Sequence, residues 1–317
     1  MFLDLDDCRD LPVRDRTKIR LGPSGIHLFN RASGTNVLID ELVPPKEYWS
    51  SAPREVSIAL TNSCDLSCPH CFAPKSNATL AFDRVVGWLE ELDAHGAIGV
   101  GFGGGEPTLH PRFAELCMHA SLRTGLAVTF TTHGHHLDDA LLSGLKGHVH
   151  FIRVSMDGIG TTYERLRGRP FAALMERLTV LKEYAPFGIN YLLNGDTLPE
   201  IEEAARSSEQ VGASEFLLLH EQPTGGRSEC RATEADALHR WVASYGGSMR
   251  LAVGEWGAAG LPVCNPLPTE IGLSAFAHID AEGVLKRTSF DRRGVKIGDR
   301  GIISTLAKFH HRARRRP

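Results

Sequence analysis

Short apolar runs alternate with stretches of helical spacing from about residue 57 to residue 222, and this alternation constrains the fold more than any other feature. The six strand-like runs are Ser57–Asn62, Gly99–Phe102, Ala127–Thr131, Val149–Ser155, Gly188–Leu193 and Glu215–Leu219. The helical stretches are Phe82–His95, Arg112–Thr124, Asp138–Leu145, Ala172–Tyr184 and Leu198–Val211. Strands and helices in this order form parallel sheets with right-handed crossovers. The pattern predicts an α/β fold, a partial (β/α)6 TIM-like barrel over residues 57–222.

The residues before this alternation have a different pattern. Gly25–Phe29 and Thr35–Ile39 are extended runs, and Asn30–Gly34 between them has the composition of a turn. We therefore predict an N-terminal β-hairpin segment over residues 1–56.

The residues after the alternation are glycine-rich and irregular. They contain one helical stretch, Glu234–Ser244, and a second hairpin pattern in which Ala275–Ile279 and Val284–Arg287 flank a turn. We predict a small α+β extension over residues 223–317. Its last ten residues include five cations and no acid, which is typical of a solvated, frayed terminus; a docking arm for an acidic partner is the alternative.

Composition excludes several classes of protein. The chain has 317 residues, of which 42% are hydrophobic and 23% charged, so disordered, collagen-like and coiled-coil classes do not fit. A formal net charge of -3 gives no reason to expect nucleic-acid binding. No apolar stretch reaches the roughly 18 residues that cross a bilayer, and the first ten residues are acidic where a signal peptide is basic. We expect a soluble, cytoplasmic protein without a membrane partner.

A cysteine-rich loop directly after the first core strand carries the strongest chemical signal. Cys64, Cys68 and Cys71 form a C-x3-C-x2-C pattern, and the total of seven cysteines fits poorly with a disulfide framework. Three thiolates at this spacing can hold three irons of a cuboidal iron–sulfur cluster and leave the fourth iron open. A structural zinc site is the alternative, but it needs a fourth ligand from His70 or from a distant residue.

The next strand ends in a glycine run followed by a carboxylate. Gly103, Gly104, Gly105, Glu106 and Pro107 lie at the carboxyl end of a predicted parallel strand, where folds of this kind place their sites. Glycines there allow the main chain to approach a ligand closely. A tight turn is the plainer interpretation of the same run.

Taken together, these motifs resemble those of radical S-adenosylmethionine (radical SAM) enzymes over residues 57 to 222. The resemblance implies that Cys64, Cys68 and Cys71 bind one 4Fe-4S cluster and that His70 lies against the adenine of SAM. It also implies that Gly104, Gly105 and Glu106 bind the methionine amino group. The further cofactor contacts implied by the resemblance are Thr132, Ser155, Asp157, Arg167 and Asn194. Many relatives carry Thr-Asn-Gly at the end of the third strand, whereas this chain has His133 in place of the amide.

The resemblance also implies the chemistry. SAM bound to the open iron is cleaved reductively to methionine and a 5'-deoxyadenosyl radical, which abstracts hydrogen from a substrate carbon. Glu106 is expected to accept from the SAM ammonium, and Arg167 to pair with its carboxylate. The reaction requires an electron donor such as flavodoxin or ferredoxin.

The C-terminal extension resembles the SPASM or twitch extensions of radical SAM enzymes that modify peptides. Where such extensions carry a cysteine after the hairpin, this chain has Lys286, Arg287 and Thr288. Cys230 and Cys264 are too few to hold an auxiliary cluster in the usual manner. We therefore predict a degenerate extension and a single cluster in the protein.

The substrate predicted from this resemblance is a ribosomally made peptide, which is crosslinked or epimerised. Pro223–Arg227 is similar to a loop frequent in peptide-modifying relatives, and the hairpin at Gly25–Ile39 could pair with an extended peptide. A hairpin that only covers the barrel is an equal alternative. Radical chemistry on a small molecule, such as a sugar or nucleoside in natural-product biosynthesis, is the alternative function.

The remaining reactive side chains have plainer predictions. Cys117 lies in an apolar helical pattern and is predicted to be a buried hydrophobe. Adjacent histidines point in different directions, so we expect His133, His135 and His136 to contact solvent or SAM and not a metal. Tyr191 and Glu221, near strand ends, are candidate acid–base groups, and no catalytic residue is assigned.

Overall fold

Three antiparallel strands precede the core of the fold. The structure, a computed structural model, describes residues 17–221, 232–254 and 257–313. The strands are β1 (Thr17–Gly22), β2 (Gly25–Asn30) and β3 (Thr35–Ile39), and β2 pairs with both neighbours. The predicted hairpin is present as β2 and β3, whereas β1 is an additional strand that was not predicted. One edge of β3 is unpaired among the described residues.

Ten further strands form a single mixed sheet. They are β4 (Glu55–Thr61), β5 (Gly99–Gly104), β6 (Ala127–Thr132), β7 (Phe151–Met156), β8 (Phe187–Leu193), β9 (Glu215–His220), β10 (Arg250–Val253), β11 (Phe276–Ile279), β12 (Val284–Lys286) and β13 (Val295–Lys296). Their order is β10-β9-β8-β7-β6-β5-β4-β11-β12-β13. Strands β4 to β10 are parallel and β11 is parallel to β4, while β12 and β13 are antiparallel.

Eight helices lie within the described residues. They are α1 (Phe82–Ala94), α2 (Phe113–Arg123), α3 (Asp139–Leu145), α4 (Gly160–Arg167), α5 (Phe171–Leu181), α6 (Ile201–Gln210), α7 (Ala232–Ser244) and α8 (Gly301–Ala313). The five helices predicted in the core agree with α1, α2, α3, α5 and α6 to within a few residues. The eight-residue α4 was not predicted, because it is short, largely polar and ends at Gly168 in the left-handed conformation.

The two faces of the parallel sheet differ in chemistry. In β7, Ile152, Val154 and Met156 are buried in the core under the helices, while Arg153 and Ser155 on the opposite face are half-buried. This alternation follows from the two-residue period of a strand. The parallel strands form a partial barrel, as predicted, whose inner face carries small and polar side chains in β5 to β7 and also leucines in β8 and β9.

The sheet is wider than the six predicted strands. Strand β10 extends one edge beside β9, and the predicted C-terminal hairpin, now β11 and β12, extends the other edge beside β4. Strands of two to four residues carry too short a pattern to predict their partners from sequence. Residues assigned to the C-terminal extension thus complete both edges of the core sheet.

The predicted frayed terminus is wrong up to Ala313, because helix α8 extends to that residue. The start of α8 is fixed by Glu91 of α1, whose carboxylate accepts from the backbone N–H groups of Ile302 (2.8 Å) and Ile303 (3.0 Å). A carboxylate at a helix N-terminus satisfies N–H groups that have no partner within the helix. Among the described residues, no helix combines the length and apolar character needed to cross a membrane.

Candidate functional site

The cysteine loop lies between β4 and α1, at the carboxyl end of the first strand of the barrel. Cys64, Cys68 and Cys71 are half-buried free thiols. The N–H of Leu66 points to Cys64 Sγ (3.4 Å), and Lys75 Nζ lies 3.7 Å from Cys71 Sγ. Burial raises the pKa of the Cys64 thiol. These N–H and ammonium donors are suited to thiolates that are bound to a metal.

The glycine motif packs directly against the chain that enters this loop. The N–H of Gly105 donates to the Thr61 carbonyl (2.7 Å), and the N–H of Glu106 donates to the Ser63 carbonyl (2.8 Å). A Cβ on Gly105 would lie 2.2 Å from the Ser63 oxygen, and Gly104 has a φ of 130°. The glycines are therefore required for close approach to backbone at the start of the cysteine loop.

Glu106 is buried and its carboxylate is held from several sides. Oε1 accepts from the Thr108 N–H (3.2 Å), the Thr108 hydroxyl (2.7 Å) and the Thr132 hydroxyl (2.8 Å). Oε2 accepts from the His133 N–H (2.9 Å). Because only 1% of Glu106 is exposed, these bonds fix an ionisable group that would be costly to bury without partners. Thr132, predicted as a cofactor contact, thus contacts Glu106, and its contact with SAM stays a prediction.

A second group forms around Asp157, just beyond β7. Its Oδ2 lies 2.8 Å from His70 Nε2 and 2.5 Å from Arg167 Nε. Arg167 also donates to Cys68 Sγ (3.7 Å), so this group reaches the cysteine loop. Burial alone would raise the pKa of Asp157, but Arg167 and His70 outweigh it and the pKa lies below its usual value. Burial raises the pKa of the Cys68 thiol, and Arg167 opposes that shift.

Asp65, within the cysteine motif, is a site residue that was not predicted. Its Oδ1 lies 2.9 Å from His133 Nε2, and its Oδ2 lies 3.2 Å from His136 Nε2 and 2.7 Å from an Arg169 guanidinium nitrogen. Burial would raise the pKa of Asp65, but His133 and His136 lower it to about 2. In the sequence, Asp65 is distinguished only as an acidic residue inside the cysteine loop, because the three residues that contact it come from distant segments.

Two predicted cofactor contacts, Ser155 and Asn194, are not bonded to these groups within the described residues. Ser155 is half-buried on the inner face of β7. Asn194 Oδ1 accepts from the N–H groups of Asp196 and Thr197 (3.0 Å each), and its Nδ2 donates to Glu221 (2.8 Å). Within the described residues, no hydrogen bond or ion pair joins Ser155 or Asn194 to Glu106, Asp157 or the cysteines.

For His133, the structure excludes the solvent contact that was one of the two expectations for the histidine run, and contact with SAM stays a prediction. His133 is only 4% exposed, because it lies between Asp65 and Glu106. His135 lies 2.9 Å from the Tyr163 hydroxyl, and burial lowers its pKa to about 4. One ligand atom each from Cys64, Asp65 and His133 lies within 4.8 Å of the others, so a histidine near the cysteines is part of the site.

Other predicted side chains have structural roles or lie outside the description. Cys117 is fully buried, as predicted. Tyr191 is also fully buried, and its hydroxyl donates to the Thr197 carbonyl (2.7 Å), which argues against an acid–base role. Cys264 is exposed. Cys8, Cys230 and the Pro223–Arg227 loop lie outside the described residues.

The donor set of the site fits an iron–sulfur cluster. Three thiols share one loop, and their soft sulfur atoms are the ligands that such clusters use. Carboxylates and cations adjoin the loop on two sides, at Glu106 and at the Asp157–Arg167 pair. Such groups can orient a zwitterionic ligand beside the cysteines.

Comparison with known proteins gives one family match and several relatives. Residues 58–207 match the family model described as the radical SAM superfamily. The AdoMet-dependent heme synthase of Methanosarcina barkeri is 28% identical over 189 residues, which cover 57% of this chain and 54% of that protein. The PqqA peptide cyclase of Gluconobacter oxydans is 26% identical over 184 residues, which cover 55% of this chain and 51% of that protein. The chain spans about half the length of these curated relatives.

A solved structure confirms the fold. The crystal structure of Streptococcus suis SuiB bound to the precursor peptide SuiA superposes with a TM-score of 0.71 at 13% sequence identity, over 89% of this chain and 84% of that chain. The family match begins in β4 and extends through α6, so it includes the cysteine loop, Glu106, Asp157 and Arg167. Residues 58–207 of the chain therefore have the sequence of a radical SAM domain.

Proposed function

We propose that this protein is a radical SAM enzyme that acts on a ribosomally made peptide. The observation that carries the proposal is the position of the cysteine loop, which lies against Glu106 on one side and against Arg167 on the other. When bound, a 4Fe-4S cluster and SAM supply a 5'-deoxyadenosyl radical that abstracts hydrogen from a substrate carbon. The protein holds these groups and the substrate in fixed positions.

Cys64, Cys68 and Cys71 are the proposed cluster ligands. Glu106, fixed by Thr132 and supported by the glycine pair, is the proposed acceptor for the SAM ammonium. Arg167 is the proposed partner of the SAM carboxylate, and Asp157 orients its guanidinium. His70, held by Asp157, is the proposed contact for the adenine. We retain Ser155 and Asn194 as proposed contacts on the strength of the resemblance alone.

The inner face of the barrel offers space for a substrate beside this site. Strand register aligns Gly101 with Thr129, and Thr131 with Arg153. These residues are half-buried, and a Cβ on Gly103 would meet no atom within 4 Å. Arg153 adds a positive charge to this face, and its guanidinium nitrogen lies 2.5 Å from a carboxylate oxygen of Glu215. Small and hydroxyl-bearing side chains thus leave this part of the inner face, in β5 to β7, partly accessible.

Two observations support a peptide as the substrate. The similar PqqA peptide cyclase is a peptide-modifying enzyme by name. Strand β3 has exposed side chains from Thr35 to Val37 and an unpaired edge in the described part of the chain, which could pair with an extended peptide. Crosslinking or epimerisation of the peptide is the proposed outcome.

Action on a small molecule is the second candidate, because a heme synthase is similar to this chain over 57% of its length. The partly accessible inner face of β5 to β7 also suits a compact ligand. A peptide substrate would need the open edge of β3 for binding, whereas a small-molecule substrate would not. The register places the Leu38 N–H on the open edge of β3, so a variant with Leu38→Pro would block pairing there and reduce turnover of a peptide, but would leave turnover of a small molecule unchanged.

We further propose a single cluster, a one-electron donor such as flavodoxin or ferredoxin, and a cytoplasmic location. Cys264 is exposed, and it is not part of the described group whose potential ligand atoms all lie within 4.8 Å of one another, namely Cys64, Asp65 and His133. Closely spaced free thiols require a reducing compartment, which supports the cytoplasm. The division at residues 56 and 222 remains a proposal, since strands from the C-terminal part join the core sheet.

The proposed function is tested by anaerobic reconstitution followed by iron and sulfide counting. We expect about four irons per chain and formation of 5'-deoxyadenosine under a strong reductant. Both should be lost when Cys64, Cys68 and Cys71 are replaced by alanine. Cys264→Ala is the matched control and should retain both. About eight irons, half of which survive the triple substitution, would contradict a single cluster, and bound zinc without iron would contradict the whole proposal.

A further inference from the structure

His133 links two carboxylates that belong to different parts of the site. Its Nε2 lies 2.9 Å from Asp65 Oδ1 and 3.4 Å from Glu106 Oε2, and its backbone N–H donates to the same Glu106 oxygen (2.9 Å). The side chain is nearly inaccessible to solvent. A residue in this position connects the cysteine loop to the glycine–glutamate motif.

The hydrogen bonds of His133 define its protonation. The backbone N–H of His135 donates to His133 Nδ1 (3.1 Å), so Nδ1 is an acceptor and carries no proton. When it is ionised, the Asp65 carboxylate accepts hydrogen bonds and cannot donate them, so His133 Nε2 must be the donor. Together these contacts require the neutral tautomer with hydrogen on Nε2.

Asp65 connects His133 to the proposed cluster ligands. It follows Cys64 directly in the chain, and it is also bound by His136 and Arg169. Residues from two later segments therefore hold one carboxylate at the start of the cysteine loop. Loss of the His133 contact would leave this end of the loop attached through partners that are more exposed, with 38% and 42% side-chain exposure.

The Glu106 carboxylate has one oxygen, Oε2, that can accept a further hydrogen bond. Glu106 Oε1 already accepts three hydrogen bonds, from Thr108 and Thr132. Oε2 accepts from the His133 backbone and faces the His133 ring. An ammonium that binds Glu106 is therefore expected to approach Oε2, because an ionised carboxylate oxygen has about two acceptor sites. The His133 ring borders that approach.

We propose that His133 is a positioning residue, which ties the cysteine loop to Glu106 and thereby sets the place of the SAM ammonium relative to the cluster ligands. The proposal rests on the proposed function for its ligand, but the tie between Asp65, His133 and Glu106 does not depend on any cofactor. It gives a role to the histidine that replaces the amide found in many relatives.

The first test uses the metal-free protein and requires no SAM. Nitrogen-15 NMR of the histidine rings reports the tautomer, and the His133 signals are assigned by their absence in His133→Asn. We expect the neutral form with hydrogen on Nε2 at neutral pH, and a shift of that resonance in Asp65→Ala. A proton on Nδ1, or a charged ring at neutral pH, would overturn the proposal.

The second test measures SAM affinity in the reconstituted protein. SAM is titrated into the reduced protein, and its binding is followed by the change in the electron paramagnetic resonance spectrum of the cluster. We expect His133→Ala and Asp65→Ala to weaken SAM binding about tenfold or more while iron content stays at the wild-type value. His133→Asn supplies an amide donor and should bind within about threefold of wild type. His119→Asn is the matched control, because His119 pairs with Glu90 at 3.2 Å on the outer helices.

The outcomes are distinguishable. Wild-type SAM affinity in His133→Ala would overturn the positioning role, and so would loss of iron in both alanine variants, since that would assign the contact to cluster assembly alone. If the reconstituted wild-type protein binds no SAM, both the proposed function and the positioning role of His133 are wrong. The NMR result would then still show whether the tie between Asp65 and His133 exists.

Discussion

The Arg20 guanidinium donates to the Glu270 carboxylate across 2.8 Å, although 250 residues separate the two in the chain. Both side chains are almost fully buried, with 2% and 3% exposure. Arg20 also donates to the carbonyls of Ala52 (3.0 Å) and Gly96 (2.9 Å), and Arg54 donates to the other oxygen of Glu270 (3.0 Å). This network fastens the N-terminal sheet to the barrel and to the C-terminal part of the chain.

Arg20→Ala should be strongly destabilising. It would leave the Glu270 carboxylate buried with one cation, and breaking a buried pair costs about 3–5 kcal/mol in the free energy of unfolding. Urea denaturation measures the effect. Arg206→Ala is the control, because the Arg206–Glu202 pair is 61% and 64% exposed, and its urea midpoint should stay near that of wild type. Equal midpoints for the two variants would contradict a stabilising role for the Arg20 network.

Two neighbouring glycines should respond differently to alanine. A Cβ on Gly105 would lie 2.2 Å from the Ser63 oxygen, whereas one on Gly103 would meet nothing within 4 Å. Gly105→Ala is therefore expected to displace the start of the cysteine loop, lower the free energy of unfolding by roughly 1–3 kcal/mol and reduce iron uptake. Gly103→Ala should keep both properties. Iron counting after reconstitution and urea denaturation check this, and equal iron content in the two variants would contradict it.

Asp157→Asn should weaken the site through Arg167. The substitution keeps the shape of the side chain but removes the anion 2.5 Å from Arg167 Nε, within a pair that is 4% and 13% exposed. We expect a loss of about 3 kcal/mol in the free energy of unfolding and weaker SAM binding, because the guanidinium is no longer held toward Cys68. SAM titration and urea denaturation provide the measurements. Asp196→Asn, in the exposed pair with Arg165, should leave both unchanged.

Sequence patterns predicted the elements that are long and local. The six core strands and five of the helices have clear periodicity, and motif positions at strand ends predicted that the cysteines, Glu106 and Asp157 would share one edge of the sheet. Each of these predictions depends on residues within one strand–helix unit. The fold class and the resemblance to radical SAM enzymes followed from them.

The features that were not predicted depend on contacts between distant segments. Asp65 contacts His133 and Arg169, which are 68 and 104 residues away, and no local sequence pattern indicates such a pairing. Helix α8 is fixed by Glu91 of α1, 211 residues earlier than Ile302. A basic terminus therefore resembled a frayed tail in isolation, whereas its helical part packs against the first helix of the core.

His278 should make the stability of the protein depend on pH. It is buried on β11 beside Ser57 (3.3 Å), Lys286 and Asp280, and burial lowers its pKa to about 4. In the unfolded chain its pKa is about 6.5, so the unfolded state binds more protons between pH 6.5 and 4, and stability falls as pH decreases through that window. From pH 7 to pH 5, His278 should account for about 2 kcal/mol of the decrease in the free energy of unfolding. His278→Gln should remove that part, as measured by urea denaturation at both pH values. An unchanged slope in His278→Gln would contradict the prediction.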